Sequence, residues 1–126
     1  RDIGYHFPPV KGNEYENIDS KILLRKVMLM IREAGYELGN CDCTICAEAP
    51  KLNPHIPAMT TCLAEVMQVN ENQISIKATT TEHLGFVGRQ EGMAAHAVVL
   101  IKEKKKVNRN KIYSIKKIFN YTYHNK

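Results

Sequence analysis

"QISIKATTTEHLGFVGRQEGMAAHAVVLIK", Gln73 to Lys102, is the stretch on which the fold turns. Gln73–Thr80 reads as a strand, with Ile74 and Ile76 on one face and β-branched threonines that suit a pleated surface. Gly92–Lys102 reads as another, apolar enough to be central in its sheet. Between them, three threonines run into Glu82, followed by Gly85, Phe86, Gly88 and Arg89. Three hydroxyls and a carboxylate bury little apolar surface. A strand that ends this way sacrifices packing, and its loop is a candidate site.

Working outward, the Pro50, Pro54 and Pro57 region is a loop that leads into a helix over about Ile56 to Met67. Asn40–Ala47 reads as a further strand. Asp19 or Ser20 caps a helix that runs to about Ala34, and Gly35 ends it. Leu23, Leu24, Val27, Met28, Ile31 and Ala34 recur at helical spacing and face the core. Arg1–Asn17 is irregular, broken by Pro8, Pro9 and Gly12. Strands and helices alternate, so the expected class is α+β, an α/β sandwich with helices packed on one face of a mixed β-sheet.

The 126 residues are one domain's worth of chain, and 44% hydrophobic with 25% charged residues is a globular composition. No apolar run approaches the roughly 18 residues that span a membrane, and no signal-peptide pattern is present. The chain starts at Arg1 without a methionine, so an N-terminal segment is expected to be missing. The net charge of +5 is unevenly spread. Nine of the eighteen Lys and Arg lie in Lys102–Lys126, against one of the thirteen acidic residues. The expected division is therefore a domain over 1–103 and a basic Lys/Asn/Ile/Tyr-rich tail over 104–126. The tail reads as a solvated extension; contact with nucleic acid or an anionic surface is the alternative. The body carries a net negative charge, so no nucleic-acid partner and no membrane partner are expected.

Cys41, Cys43 and Cys46 form C-x-C-x-x-C, with Cys62 apart in the second helix. On a strand Cys41 and Cys43 share a face and Cys46 takes the other, which spoils a shared ligand sphere. They read as reduced, packed thiols of an intracellular protein. His6, His55, His83, His96 and His124 are scattered, without metal-ligand spacing. No nucleophile elbow, P-loop or dinucleotide fingerprint is present.

Two loops remain, "AEAPKL" at Ala47–Leu52 and the threonine stretch itself. Small residues, a proline and a lysine let the backbone approach a flat ligand. Threonine hydroxyls and amides at a strand end suit phosphate oxygens, and a neighbouring carboxylate can hold a divalent cation that bridges two phosphates. Read by themselves, these residues fit a nucleotide diphosphate site or a merely polar strand end.

Asp2–Gly4 (D-I-G), Ala47–Lys51 (A-E-A-P-K), Ala78–Glu82 (A-T-T-T-E) and Leu84–Gly92 (L-G-F-V-G-R-Q-E-G) together make a longer pattern. It resembles the 2-C-methyl-D-erythritol 2,4-cyclodiphosphate synthase family of the non-mevalonate isoprenoid pathway, collinearly from Asp2 to about Ile101. The resemblance implies a homotrimer with sheets lining the central axis and active sites at the subunit interfaces. The implied substrate is 4-diphosphocytidyl-2-C-methyl-D-erythritol 2-phosphate, a small molecule whose 2-phosphate attacks its own β-phosphorus and expels CMP. The implied cofactors are zinc, orienting the phosphates, and magnesium or manganese on the diphosphate. The compartment is cytoplasmic for a bacterial protein and the plastid for a eukaryotic one.

By the same resemblance, Thr80 is the catalytic residue, holding the α-phosphate and steadying the transition state, and Glu82 binds magnesium. Thr79 and Thr81 shape the turn, and Ala78 packs near the cytosine. Ala47, Glu48, Ala49, Pro50, Lys51 and Leu52 bind the cytosine through main-chain groups. Asp2, Ile3, Gly4 and Phe7 face the methylerythritol, and Phe86 and Arg89 match further ligand-contacting positions. Two features depart from the family. Its F-P-D-T-D continuation is replaced by Phe7, Pro8, Pro9, Val10 and Lys11. Its zinc ligands, the Asp and His of D-x-H and a later His, all precede D-I-G, so they are expected outside this chain. The 126 residues alone are then expected to be inactive. The alternative function is a homologue or fragment that keeps only a cytidine-nucleotide pocket.

Overall fold

A computed structural model describes residues 2–9, 15 and 17–105, together with the backbone course of 116–125. The elements in chain order are α1 (Ile3–His6), α2 (Ser20–Glu33), β1 (Tyr36–Cys46), α3 (Ile56–Met67), β2 (Ile74–Thr79), α4 (Gly85–Gly88), β3 (Met93–Glu103) and β4 (Lys116–Asn125). Short 3₁₀ turns at Asn53–His55 and Glu71–Gln73 lead into α3 and β2. The sheet order is β2-β1-β3-β4. β1 and β2 are parallel, β1–β3 and β3–β4 antiparallel, so the sheet is mixed as expected. A parallel pair needs a crossover, and α3 supplies it.

The helices form on the signals expected of them. The Asp19 carboxylate accepts the Lys21 N–H at the start of α2, and Gly35, at φ +86°, turns the chain out of it. Met28, 2% exposed, is the best-buried residue of the core. It packs in one cluster with Leu38, Cys41, Ala64, Met67, Ile74 and Ile76, joining α2 and α3 to a single face of β1 and β2. The Arg32 guanidinium donates to the Met67 carbonyl, occupying an orphan acceptor at the end of α3 and tying the two helices together.

Three segments differ from the sequence reading. β1 begins at Tyr36 rather than at Asn40. Leu38 and Cys41, three residues apart, are both buried, which strict alternation forbids. The register shift between Leu38 and Asn40 reconciles them. Within the N-terminal stretch read as irregular, Ile3–His6 form one helical turn, because the Asp2 carboxylate accepts the Tyr5 N–H at 2.9 Å. In the tail, read as a solvated extension, the backbone of β4 pairs along β3 from Met93↔Asn125 to Lys102↔Lys116. Val10 and Lys11 lie outside the described residues.

Candidate functional site

β1 and β2 run parallel and end side by side, with Cys46 opposite Thr79. In open α/β sheets, the carboxyl ends of parallel strands are where ligands settle. The two candidate loops leave from these ends. The Ala47 N–H donates to the Thr79 carbonyl at 3.0 Å, so Ala47–Leu52 and Ala78–Glu82 start from a shared bond. Ala47 is buried and anchors its loop, while Ala49, Pro50, Lys51, Ala78, Thr79 and Thr80 are exposed. The Ala49–Pro50 peptide is cis.

The second loop is tightly organised. Glu82 and His83 both adopt left-handed backbone, at φ 52° and 63°, a conformation uncommon for residues with a Cβ. The bonds that impose it come from three sides. The Thr81 hydroxyl donates to the Leu84 carbonyl at 2.7 Å, and the Leu84 N–H donates to the Thr81 carbonyl at 3.0 Å. Gly88 packs flat against the turn, and a Cβ there would lie 2.1 Å from the carbonyl carbon of His83. Glu48 reaches across from the first loop. One oxygen of its carboxylate accepts the His83 N–H at 3.0 Å and the Thr81 N–H at 3.2 Å. The His83 N–H, with that of Thr81 behind it, holds the Glu48 carboxyl below the usual carboxylate range.

The Thr80 hydroxyl donates to the Glu82 carboxylate at 3.1 Å, and both side chains are exposed at the rim. Magnesium is held by one or two carboxylates plus the phosphates of its substrate, and an exposed Glu82 beside a hydroxyl fits that requirement. Zinc is a different case. Among the described residues no three His, Cys, Asp or Glu side chains converge, and a catalytic zinc site takes about three protein ligands. The described residues do not fit zinc.

Not every candidate residue lies with these loops. Asp2 is engaged with Tyr5. Phe7 stacks edge-on to Tyr15, whose ring lies under the Lys26 ammonium of α2. Ile3 and Gly4 belong to this same N-terminal turn. Through Tyr15, this segment is tied to α2. Phe86 lies in α4, behind the turn, and Arg89 at its end forms a two-point ion pair with Glu91, 2.7 and 3.2 Å. The side-chain role of Glu48 escaped the sequence reading, which gave Ala47–Leu52 only main-chain contacts. The signal available was an acidic residue between two alanines at a strand end, where neither packing nor solubility calls for it.

A polar turn over paired strand ends, on a sheet backed by helices on one face, marks an α/β sandwich with a candidate site at its rim. Residues 1–102 match the YgbB family, and the chain belongs to that family. Curated relatives bear the name 2-C-methyl-D-erythritol 2,4-cyclodiphosphate synthase. That of Parabacteroides distasonis is 71% identical over 101 residues, 80% of this chain and 62% of the relative. That of Porphyromonas gingivalis strain W83 is 64% identical over the same shares. The chain thus spans about 62% of the length of these relatives. Among solved structures, the bifunctional IspDF of Campylobacter jejuni superposes with a TM-score of 0.77 at 40% identity, over 81% of this chain and 27% of that one. The CDP complex of Plasmodium falciparum IspF gives 0.72 at 31% identity, over 83% and 62%.

Proposed function

We propose that the protein carrying this chain is a cyclodiphosphate synthase. It converts 4-diphosphocytidyl-2-C-methyl-D-erythritol 2-phosphate to 2-C-methyl-D-erythritol 2,4-cyclodiphosphate and CMP, a step of isoprenoid precursor synthesis. The observation that carries the reading is the meeting of Ala47–Leu52 with Ala78–Glu82 at the ends of a parallel strand pair. The names of the relatives support it, as does the CDP held by the P. falciparum structure.

The reaction needs no protein nucleophile. An oxygen of the 2-phosphate attacks the β-phosphorus, a new P–O–P link forms, and the bond to the CMP oxygen breaks. The chain's contribution is position and charge. Main-chain groups of Ala47–Leu52 seat the cytosine, with Ala78 against it. The Thr80 hydroxyl turns from Glu82 to the α-phosphate, where negative charge builds as CMP leaves. Thr79 and Thr81 keep the turn in shape, and Glu82 holds the magnesium, which offsets diphosphate charge when bound. Phe86 and Arg89 line the approach. Asp2, Ile3, Gly4 and Phe7 meet the methylerythritol of a site shared between subunits. Zinc enters no step here, since the described residues offer it no site.

The bare sheet face favours a homotrimer. Val98 is 45% exposed on the side away from the helices, and three such faces can close around an axis. The test is CMP release from the diphosphocytidyl substrate by a full-length chain carrying these residues, with zinc and magnesium present. Turnover far above the metal-only background is expected, while residues 1–126 alone are expected to give none. A full-length protein that binds CDP and never releases CMP would instead be a nucleotide-binding homologue.

A further inference from the structure

The geometry points to Glu48 as a positioning residue, whose carboxylate oxygen locks the threonine turn onto the cytosine loop so that base recognition and diphosphate binding share one rigid frame. The inference rests on the reading under Proposed function for what the turn binds, but not for the link itself.

Three observations carry it. The Glu48 side chain is only 6% exposed, although it starts a loop whose next three residues are exposed. A carboxylate is rarely placed so deep unless it is paired or fully bonded. Here two amide bonds converge on one oxygen and come from Thr81 and His83, the residues that flank Glu82. They also span the two left-handed positions of the turn. Such backbone persists only where its surroundings over-determine it, and Glu48 supplies that constraint from 33 to 35 residues away in sequence.

The consequence is mechanical. Thr80 and Glu82, the two side chains offered to the diphosphate, project from a turn whose amides are fastened to the residue after Ala47. Where the cytosine seat goes, the diphosphate grip goes with it. It is the acceptor oxygen that matters, because the donors are neutral amides. The second oxygen lies 3.9 Å from the His83 ring and makes no hydrogen bond to it.

Two substitutions in a full-length chain carrying these residues separate the possibilities. Glu48→Gln keeps an acceptor oxygen and should lose far less CDP affinity and turnover than Glu48→Ala. Glu48→Ala should weaken magnesium-dependent CDP binding by roughly tenfold. It should lower turnover by on the order of 10- to 100-fold, as misplaced catalytic groups do. Cytidine, which has no phosphate, should bind both variants as it binds the native protein. Amide hydrogen exchange at Thr81 and His83 should accelerate in Glu48→Ala and not in Glu48→Gln. Equal damage from both substitutions would overturn the inference in favour of a role for charge. Equal loss of cytidine and CDP in Glu48→Ala, with a lower melting temperature, would reduce Glu48 to fold support and overturn it too. If the native protein bound neither ligand, the cyclase reading would fail, while the exchange measurement would still decide whether Glu48 holds the turn.

Discussion

Thr80 gains little from the folded chain. It is exposed, and its hydroxyl bonds Glu82 alone, donating to the carboxylate at 3.1 Å and accepting the N–H at 3.4 Å. A hydroxyl left so available serves a ligand better than it serves the fold. Under the proposed function, Thr80→Ala in the full-length protein should therefore leave stability alone and act on turnover. Loss of a hydrogen bond to developing charge costs about 2–4 kcal/mol of transition-state stabilisation. Steady-state kinetics should show a reduced kcat with KM little changed. Were KM to rise with kcat intact, Thr80 would be a binder of the ground state. The thiols allow a second prediction at this scale. Cys41 and Cys43 share the helix-facing side of β1, their Sγ atoms 3.5 Å apart. The hydrogen bond from Cys41 lowers the Cys43 thiol from 9.0 to about 7, while that bond and burial push Cys41 up. The thiolate is the reactive form, so alkylation of Cys43 should rise with pH and reach half its maximum near pH 7. In Cys41→Ala the midpoint should move back toward 9, as peptide mapping after iodoacetamide treatment would report.

Among the elements, α4 is the one whose chemistry is least obvious from its length. Four residues make a single turn, yet Val87 is 4% exposed, and the backbone of Gly88 lies directly on His83. This turn is the floor under Glu82. A Cβ at Gly88 cannot fit, because the obstruction is backbone and not the tip of a flexible side chain. Gly88→Ala should cost about 1–3 kcal/mol through overpacking, seen as a lower urea midpoint, and should also abolish magnesium-dependent CDP binding. Retained CDP affinity would mean that the turn keeps its shape without this contact. The longer helices behave more simply. In α2, Met28 sits at the centre of the core, and Met28→Ala should destabilise by about 2–5 kcal/mol without changing ligand specificity, measured by denaturant unfolding.

Among the described residues, the molecule is a sheet with its two longer helices on one face. α2 and α3 cover the face of the sheet that holds Cys41, Cys43, Ile74 and Ile76. The opposite face carries Val98, and Asp42 there is paired with the Lys77 ammonium. An apolar strand residue left open on a sheet face is a natural place for subunits to meet. Under the proposed assembly, sedimentation of the full-length protein should give three times the chain mass. Val98→Asp should shift it toward the monomer while far-ultraviolet circular dichroism stays unchanged. A monomeric native protein would remove the shared site, and with it the role given to Asp2, Ile3, Gly4 and Phe7.

Local pattern was enough for much of this. Capping by Asp19, the stop at Gly35, the helical spacing around Met28 and the apolar run of β3 each act within a few residues, and each led to the observed element. The motifs around Ala47–Leu52 and Ala78–Glu82 could be picked out as candidate loops, since site chemistry resides in short runs of residue types, and the two start side by side. What the linear pattern could not reveal depends on distance in space. The early start of β1 needed the register shift at Gly39, which only pairing with β3 imposes. The role of Glu48 needed two loops more than 30 residues apart to be brought edge to edge by a parallel strand pair. Propensity and capping are properties of neighbours along the chain, and the sequence determines them directly. A carboxylate that shapes a distant turn has its role only once the sheet has formed, because the fold alone brings up the facing donors that give it a task.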